Sequence, residues 1–271
     1  MEKLKGRVAV ITGAASGIGR ATSIALAERG CDIALVDIDS QGLEESAALV
    51  RTAGTRVSTH LADVSDKEHM QQLPEDVIAE HGHVHILVNN AGVSIAQSFA
   101  DQSIEDIEWI VGINLWGVIY GCKFFLPYLT REDEGHIVNI SSMFGIAAVA
   151  GQGSYGATKF AVRGLSEALY AELSSAKIGV SCIHPGTIKT NIIQSCRGMS
   201  GARQLDIQRK FNRIGISPDR VAQKIVRALR SGQLCVRVSP ETYVLDWLKR
   251  FFPASIHKLI ALFERRRQLL Q

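Results

Sequence analysis

The run Val8-Ala9-Val10-Ile11-Thr12-Gly13-Ala14-Ala15-Ser16-Gly17-Ile18-Gly19-Arg20 passes from an apolar, β-branched stretch straight into a glycine-rich turn and then into a helical pattern. Strand, glycine turn and helix N-terminus in that order make a seat for a pyrophosphate. Glycines let the backbone come close, while the first free N–H groups and the positive end of the helix dipole favour the negative charge. The spacing is Gly-x-x-x-Gly-x-Gly rather than the Gly-x-Gly-x-x-Gly of the common dinucleotide fingerprint. Such a turn also arises for conformational reasons alone, so its meaning depends on the residues around it.

Working outward, short β-branched runs recur at Val8–Thr12, Ile33–Val36, Val57–Leu61, Ile86–Asn89, Ile137–Ile140, Val180–Ile183 and Leu234–Val238. Most are continuously apolar, the pattern of strands covered on both faces by crossover helices. Between them, apolar residues at helical spacing predict helices over Gly17–Arg29, Gln41–Thr52, Asp66–Glu80, Ile104–Leu129, Tyr155–Ser174 and Pro218–Arg230. This alternation predicts an α/β fold, a Rossmann-like doubly wound, seven-stranded parallel sheet flanked by helices.

One dinucleotide-binding and catalytic domain is expected over residues 1–240, since no repeat, low-complexity segment or separating linker precedes about residue 240. Within it, Thr187–Ser217 is rich in Gly, Ser, Asn and Arg, lacks a clear period and reads as a long loop or mobile substrate lid. Residues 241–271 read as a C-terminal amphipathic extension.

The chain has 271 residues, of which 46% are hydrophobic and 21% charged, a globular composition able to bury a single core. The net charge is +3, without the concentrated Lys/Arg stripe that a nucleic-acid partner requires. Cys31, Cys122, Cys182, Cys196 and Cys235 are odd in number and scattered, which suggests neither a disulfide framework nor a zinc knuckle. Reduced thiols in a cytoplasmic setting are the simplest expectation. The leading Met1–Gly6 enters an apolar run too short and wrongly flanked for a signal peptide, and no stretch reaches the roughly 18 consecutive apolar residues of a spanning helix.

Asp37 falls at the end of the second strand, where an acidic side chain can accept hydrogen bonds from an adenosine ribose and repel a 2′-phosphate. No basic residue adjoins it at Ile38 and Asp39 or occupies the turn at Ala15 and Ser16, so NAD is favoured over NADP. The bland alternative is a helix-capping aspartate, a part that Asp39 and Ser40 fit equally. Tyr155 and Lys159 stand four apart in a helical segment and so share a face. A phenol with an ordinary pKa of about 10 becomes usable for acid–base work when an ammonium stabilises its anion, although an amphipathic surface pair has the same spacing. Ser142 follows the strand ending at Ile140, at the sheet edge where open α/β folds place ligands, and it also suits simple turn chemistry.

Taken together, Thr12-Gly13-x-x-x-Gly17-Ile18-Gly19, Asp63-Val64, Asn89-Asn90-Ala91-Gly92, Asn114, Ser142, Tyr155-x-x-x-Lys159 and Pro185-Gly186 resemble the short-chain dehydrogenase/reductase family in order and spacing over about residues 6–190. The resemblance implies that Gly13, Ser16, Ile18 and Gly19 cradle the pyrophosphate and that Asp37 binds the adenosine ribose. It further implies adenine contacts from Asp63 and Val64, a cofactor-lining strand end at Asn90, Ala91 and Gly92, and nicotinamide contacts from Pro185, Gly186, Ile188 and Thr190. Ser142 would hold the substrate oxygen and Tyr155 would exchange its proton. Lys159 would lower the Tyr155 pKa and grip the nicotinamide ribose, with Asn114 completing a water-linked relay behind it. At none of these positions does the sequence depart from the family pattern.

The remaining features have plainer readings. Trp109, Trp116 and Tyr120 form a core or subunit-contact stripe on the helix over Ile104–Leu129, which in the resembled family commonly packs against a second subunit. His81, His83 and His85 alternate without an accompanying carboxylate or thiolate cluster, so no metal is expected. His184 reads as a pocket-lining residue. In the tail, Trp247, Leu248, Phe251 and Phe252 precede Pro253. Ile256, Leu259, Ile260 and Phe263 then fall at helical spacing beside Lys258, Arg265, Arg266 and Arg267. Such a helix can lie in a membrane interface, cover the pocket or meet a neighbouring subunit.

The expectation is thus an NAD-dependent oxidoreductase acting on an alcohol or carbonyl, as a homodimer or homotetramer. The apolar lid residues Ile192, Ile193, Met199 and Leu205 suggest a hydrophobic small-molecule substrate such as a steroid, retinoid or fatty alcohol. A 3-oxoacyl thioester reductase and a non-catalytic nucleotide-sensing protein are the alternatives.

Overall fold

Each apolar run identified in the sequence forms a strand, and every strand pairs parallel with its neighbours. Among the described residues these are β1 (Val8–Thr12), β2 (Asp32–Asp37), β3 (Val57–Leu61), β4 (Ile86–Asn89), β5 (Gly135–Ile140), β6 (Ile178–His184) and β7 (Cys235–Arg237), in the spatial order β3-β2-β1-β4-β5-β6-β7. The computed structural model describes residues 1, 3–199 and 201–269, the side chains of 203, 263, 264 and 267–269 excepted. Phe263 and Arg267 of the basic tail therefore lie outside the described side chains.

Strand side chains alternate between two cores, which is why the runs read as continuously apolar. Ala9 and Ile11 of β1 face α1 (Gly17–Ala27), α2 (Ser40–Arg51) and α8 (Pro218–Ser231), where Leu26, Val50 and Ile225 are buried. Val10 faces the opposite core of α3 (Lys67–His81), α5 (Gly117–Leu129) and α6 (Gly153–Glu172), built from residues such as Met70, Phe125 and Val162. Between β1 and β4 the order of strands reverses, opening a crevice at their carboxyl ends, the place where such sheets bind ligands.

The helix expected over Ile104–Leu129 forms with those bounds but gains a detail, and a second expectation needs correction. The helix over Ile104–Leu129 is not uniform: α4 (Ile104–Val111) passes through a π-helical turn at Gly112–Trp116 before α5. By length and composition this is the helix apolar enough to cross a membrane, yet its Val118, Phe125 and Leu129 are buried in the protein core. The π-turn also splits the aromatic stripe. Trp109 packs beside Tyr155, while Trp116, Tyr120 and Phe124 stack along the surface at centroid spacings of 5.5 and 5.8 Å.

The correction concerns Thr187–Ser217, which is not an irregular loop. It contains α7 (Gly201–Ile214) and is pinned at Arg197, whose guanidinium lies 3.8 Å from the Trp109 ring centroid and 2.7 Å from Asp106. The inward face of α7 carries Gln204, Ile207, Gln208 and Phe211, half of it polar, whereas Leu205 and Ile214 face outward. Gln204 Nε2 donates to the carbonyls of Ile193 (2.8 Å) and Gln194 (3.0 Å). Glutamines thus do the packing that apolar residues would have advertised. Beyond β7, α9 (Pro240–Phe251) and α10 (Ser255–Leu269) form the C-terminal extension.

Candidate active site

The cleft begins where β1 runs out. Gly13 takes φ +65°, and a Cβ there would stand 2.7 Å from Asn90 Nδ2 and 2.8 Å from the Ala91 Cα. At Gly19 a Cβ would collide with the Gly13 carbonyl oxygen, so the turn folds against the first turn of α1 only because both positions are bare. Thr12 fastens this turn to β4: its Oγ1 accepts from the N–H groups of Asn90 (3.0 Å) and Ala91 (3.1 Å). Asn90 Nδ2 in return donates to the carbonyls of Thr12 (2.8 Å) and Gly13 (3.0 Å). Ser16 caps α1 with no side-chain hydrogen bond, which leaves the first-turn N–H groups and the helix dipole facing the cleft, as an anion requires.

At one end of the cleft Asp37 closes β2. Its Oδ2 accepts from Ala15 N–H (2.9 Å), and its Oδ1 accepts from Ile38 (2.8 Å) and Asp39 (3.1 Å). Three donors orient a carboxylate with four lone-pair positions, so it retains acceptor capacity. Sequence reasoning missed Arg20, which reaches across from α1 to the Ala15 carbonyl, Ser46 Oγ (2.8 Å) and Glu45 (2.9 Å). Asp63 Oδ1 is held by Ser65 N–H (2.8 Å) and Oγ (2.7 Å), and Val64 is buried beside it.

Ser142, Tyr155 and Lys159 converge at the other end. Ser142 leaves β5 as the cap of the short turn Met143–Gly145, its Oγ accepting from Phe144 N–H at 3.2 Å. Tyr155 is buried in an apolar cluster with Ile95 and Ile110, and Phe144 meets its ring edge-on at 6.2 Å. Lys159 Nζ donates to the Ile140 carbonyl at 3.1 Å and stands 5.7 Å from the Tyr155 ring centroid. Asn114, placed by the π-turn, is buried behind them. Its Oδ1 accepts from Val93 N–H (2.8 Å), while Nδ2 donates to Val93 O (2.9 Å) and Thr158 Oγ1 (3.4 Å). A Cβ on Gly92 would stand 3.2 Å from Asn114 Oδ1 and 3.4 Å from Lys159 Nζ, so Gly92 packs directly against both side chains.

The electrostatics differ from expectation. Burial pushes the Tyr155 phenol above its usual value, and the hydrogen bond with Ser142 opposes this only in part. Burial likewise pushes the Lys159 ammonium down to about 8. The lowering of Tyr155 by Lys159 anticipated from the sequence does not appear among these residues. Desolvation dominates both groups, and one of the three Lys159 N–H donors is held by the Ile140 carbonyl.

Pro185, Gly186, Ile188 and Thr190 follow β6 and line the same cleft, a cavity of about 560 Å³. Of the catalytic and cofactor-binding residues implied by the resemblance, all line it except Gly19, which lies beneath the turn, and Asn114, which stands behind Gly92; of the lid residues, Ile192 and Ile193 line it but Met199 and Leu205 do not. Its lining also includes the apolar Phe144, Ile192, Ile193 and Phe211, interspersed with the polar Gln152, Asn191, Gln194 and Ser195. His184 is not among the lining residues. It is fully buried, its Nδ1 lies 3.1 Å from the Ser142 carbonyl oxygen, and burial pushes its pKa down to about 4. None of the described residues of α9 or α10 lines the cleft.

The fold supplies the carboxylate that the histidine run lacked in sequence: Glu132 lies 3.0 Å from His83 Nδ1 and 3.3 Å from His85 Nε2. The three ligand-type atoms fall within 4.8 Å of one another. His85 Nδ1, however, accepts from Val8 N–H at 3.1 Å, which puts the ring proton at Nε2, facing Glu132. That arrangement suits a carboxylate rather than a cation. His81 belongs elsewhere, 2.8 Å from Ser58.

Comparison with known proteins fits this architecture. A model of the short-chain dehydrogenase family matches residues 7–200. SadH of Mycobacterium tuberculosis, a protein named for oxidoreductase activity, is 40% identical over 265 residues, covering 96% of each chain. Epidermal retinol dehydrogenase 2 of Homo sapiens is 32% identical over 96% of this chain and 82% of its own. A short-chain dehydrogenase/reductase from Burkholderia phymatum, solved in complex with NAD, superposes with a TM-score of 0.85 at 30% identity, over 92% of this chain and 95% of that one. The chain belongs to the short-chain dehydrogenase/reductase family and is an oxidoreductase.

Proposed function

We propose that the chain is an NAD-dependent dehydrogenase/ketoreductase that acts on the CH–OH or carbonyl carbon of a hydrophobic small molecule. The observation that carries this reading is the convergence of Ser142, Tyr155 and Lys159 on one wall of a cleft whose opposite end is a glycine turn at a bare helix N-terminus. When bound, the nicotinamide supplies or accepts the hydride. Gly13, Ser16, Ile18 and Gly19 seat the pyrophosphate, and Asp63 and Val64 flank the adenine. Asn90, Ala91 and Gly92 line the middle of the cofactor, with Pro185, Gly186, Ile188 and Thr190 at the nicotinamide amide. Asp37 takes the ribose hydroxyls and disfavours a 2′-phosphate, and Arg20, which bonds the Ala15 carbonyl of the same turn, is already engaged by Glu45 and backbone carbonyls.

Ser142 Oγ holds the substrate oxygen, and the Tyr155 hydroxyl gives or takes its proton. Lys159 holds the ribose side of the site, and Asn114 steadies the backbone at Val93 beside a water path to Lys159. The apolar wall of Phe144, Ile192, Ile193 and Phe211 favours a substrate of the retinoid, steroid or fatty-alcohol kind, in line with the retinol dehydrogenase likeness. Incubation with NAD or NADP and alcohols of rising hydrophobicity tests the reading through nicotinamide absorbance. NADH formation with apolar alcohols is expected, and no turnover with any of them would refute it.

Two surfaces extend the proposal. The stack of exposed Trp116 on half-buried Tyr120 and Phe124 favours assembly with a second copy. On α9 and α10, exposed Val244, Trp247, Phe251, Leu259 and Leu262 lie among Lys249, Arg250, Lys258, Arg265 and Arg266, a composition suited to an anionic membrane surface. Co-sedimentation of the full-length protein with anionic vesicles at low salt is expected, and its absence would remove the membrane contact.

A further inference from the structure

The family match ends at residue 200, yet the cleft is backed by a side chain from well beyond it. Glu241 stands in the first turn of α9, and its Oε1 accepts the Thr187 N–H at 3.0 Å. Thr187 lies in the middle of Pro185–Thr190, the segment that leaves β6 along the cleft wall. Its neighbour Gly186 has no room for a side chain, because a Cβ would collide with Glu241 Oε1 and Ser239 Oγ and stand 2.8 Å from Glu241 Cδ. From the other side, Ile216 N–H donates to Thr187 O, and Lys189 N–H donates to Ile216 O, each at 3.0 Å. The segment is therefore clamped between Ile216 and Glu241.

Glu241 is itself fixed in place. Ser239 is buried, with its Oγ 2.9 Å from Thr242 Oγ1. Five residues on, the buried carboxylate of Asp246 pairs with Arg237 of β7 and with Arg250 (3.1 Å), anchoring α9 to the sheet. Burial raises the Glu241 carboxyl, but hydrogen bonds from the N–H groups of Thr187 and Glu241 itself and from Ser239 prevail and hold it below its ordinary value. The bond to Thr187 is thus charge-assisted, the stronger kind.

We propose that Glu241 is a positioning residue: by holding the Thr187 N–H and backing Gly186, it fixes the shape that Pro185–Thr190 presents to the nicotinamide. This rests on the reading of that segment as the nicotinamide loop. This contact ties the C-terminal extension to cofactor binding, although none of its described residues lines the cleft.

The test compares Glu241→Ala, which removes the acceptor, with Glu241→Gln, which keeps an oxygen at the same reach. In the full-length protein, NADH affinity, kcat, both KM values and amide hydrogen exchange of a peptide spanning 184–190 are measured. Glu241→Ala should weaken NADH binding and raise the NAD KM by roughly ten- to a hundredfold. It should also speed exchange in that peptide, leaving the alcohol KM unchanged. Glu241→Gln should stay within about fivefold of wild type, since a neutral acceptor is roughly half as strong.

Wild-type binding and exchange in Glu241→Ala would overturn the proposal, and so would equal damage in both variants. If Glu241→Ala loses its fold, Glu241→Asp keeps the charge at the helix start but falls short of Thr187. It must then show the same loss, and wild-type affinity there also overturns the proposal. Wild-type protein with no NADH affinity would instead sink the nicotinamide reading, so the two failures are distinct.

Discussion

Replacing Lys159 by Met should make the protein inactive and yet, at neutral pH, slightly more stable. Lys159 is only 4% exposed, and burial brings its ammonium from the ordinary lysine value of 10.5 down to about 8. Each tenfold change in proton affinity is worth about 1.4 kcal/mol, so keeping this charge inside the fold at pH 7 costs about 3 kcal/mol. Between pH 8 and 10.5 the unfolded chain binds a proton that the native state has released, so this cost disappears as pH rises through that window. Methionine has similar length and no charge, but it leaves the Ile140 carbonyl without the bond Lys159 gives it, a loss of about 1–2 kcal/mol.

The net expectation for Lys159→Met is a gain of about 1–2 kcal/mol at pH 7 that shrinks by about 2–3 kcal/mol toward pH 10 and changes sign. Cys31 and Cys122, pushed up to about 12 by burial, make stability fall with pH over much of the same range, but they are common to both proteins and cancel in the difference. Urea unfolding of both proteins at stepped pH, followed by tryptophan fluorescence, measures that difference directly. A difference that stays constant with pH, or one that grows in favour of methionine, would refute the reasoning.

Other outcomes follow from the same geometry. Tyr155→Phe should retain NADH affinity and lose nearly all turnover, as single-turnover kinetics with matched binding titrations will report. Because burial raises the Tyr155 phenol, alcohol oxidation should accelerate and carbonyl reduction slow as pH rises from neutral into the alkaline range; pH-independent rates would contradict this. Gly19→Ala forces a collision with the Gly13 carbonyl and should cost about 1–3 kcal/mol of stability together with most dinucleotide affinity, read by calorimetry. The buried thiols Cys31, Cys122 and Cys182 should resist a thiol-specific reagent until the protein unfolds, whereas half-buried Cys235 reacts first.

The strands and most helices were legible because a doubly wound sheet buries both strand faces, and that burial writes itself as unbroken Val/Ile runs such as Val8–Thr12 and Ile86–Asn89. The cleft was legible where chemistry demands a residue type: bare glycines at Gly13 and Gly19, and the Tyr155/Lys159 pair on one helical face. What stayed hidden was carried by polar residues in packing roles. α7 buries glutamines where a periodic helix would bury leucines, and the π-turn that aims Asn114 leaves no mark on the hydrophobic period. Arg20, Glu132 and Glu241 matter through partners 22 to 54 positions away, a separation that only the fold can close.

The electrostatics of the Tyr155–Lys159 pair bear on which way the reaction runs. The apolar cluster of Ile95, Ile110 and Phe144 around Tyr155 withholds water from the phenol, while one of the three N–H donors of the nearby ammonium is held by the Ile140 carbonyl. Surrounded in this way, Tyr155 keeps its proton at neutral pH. A protonated phenol is the species that carbonyl reduction consumes, and a phenolate is the one that alcohol oxidation needs. If Tyr155 is the acid–base residue, as proposed, reduction would draw on the protonated form that this wall maintains, and oxidation would need the phenolate stabilised beyond what Ser142 provides.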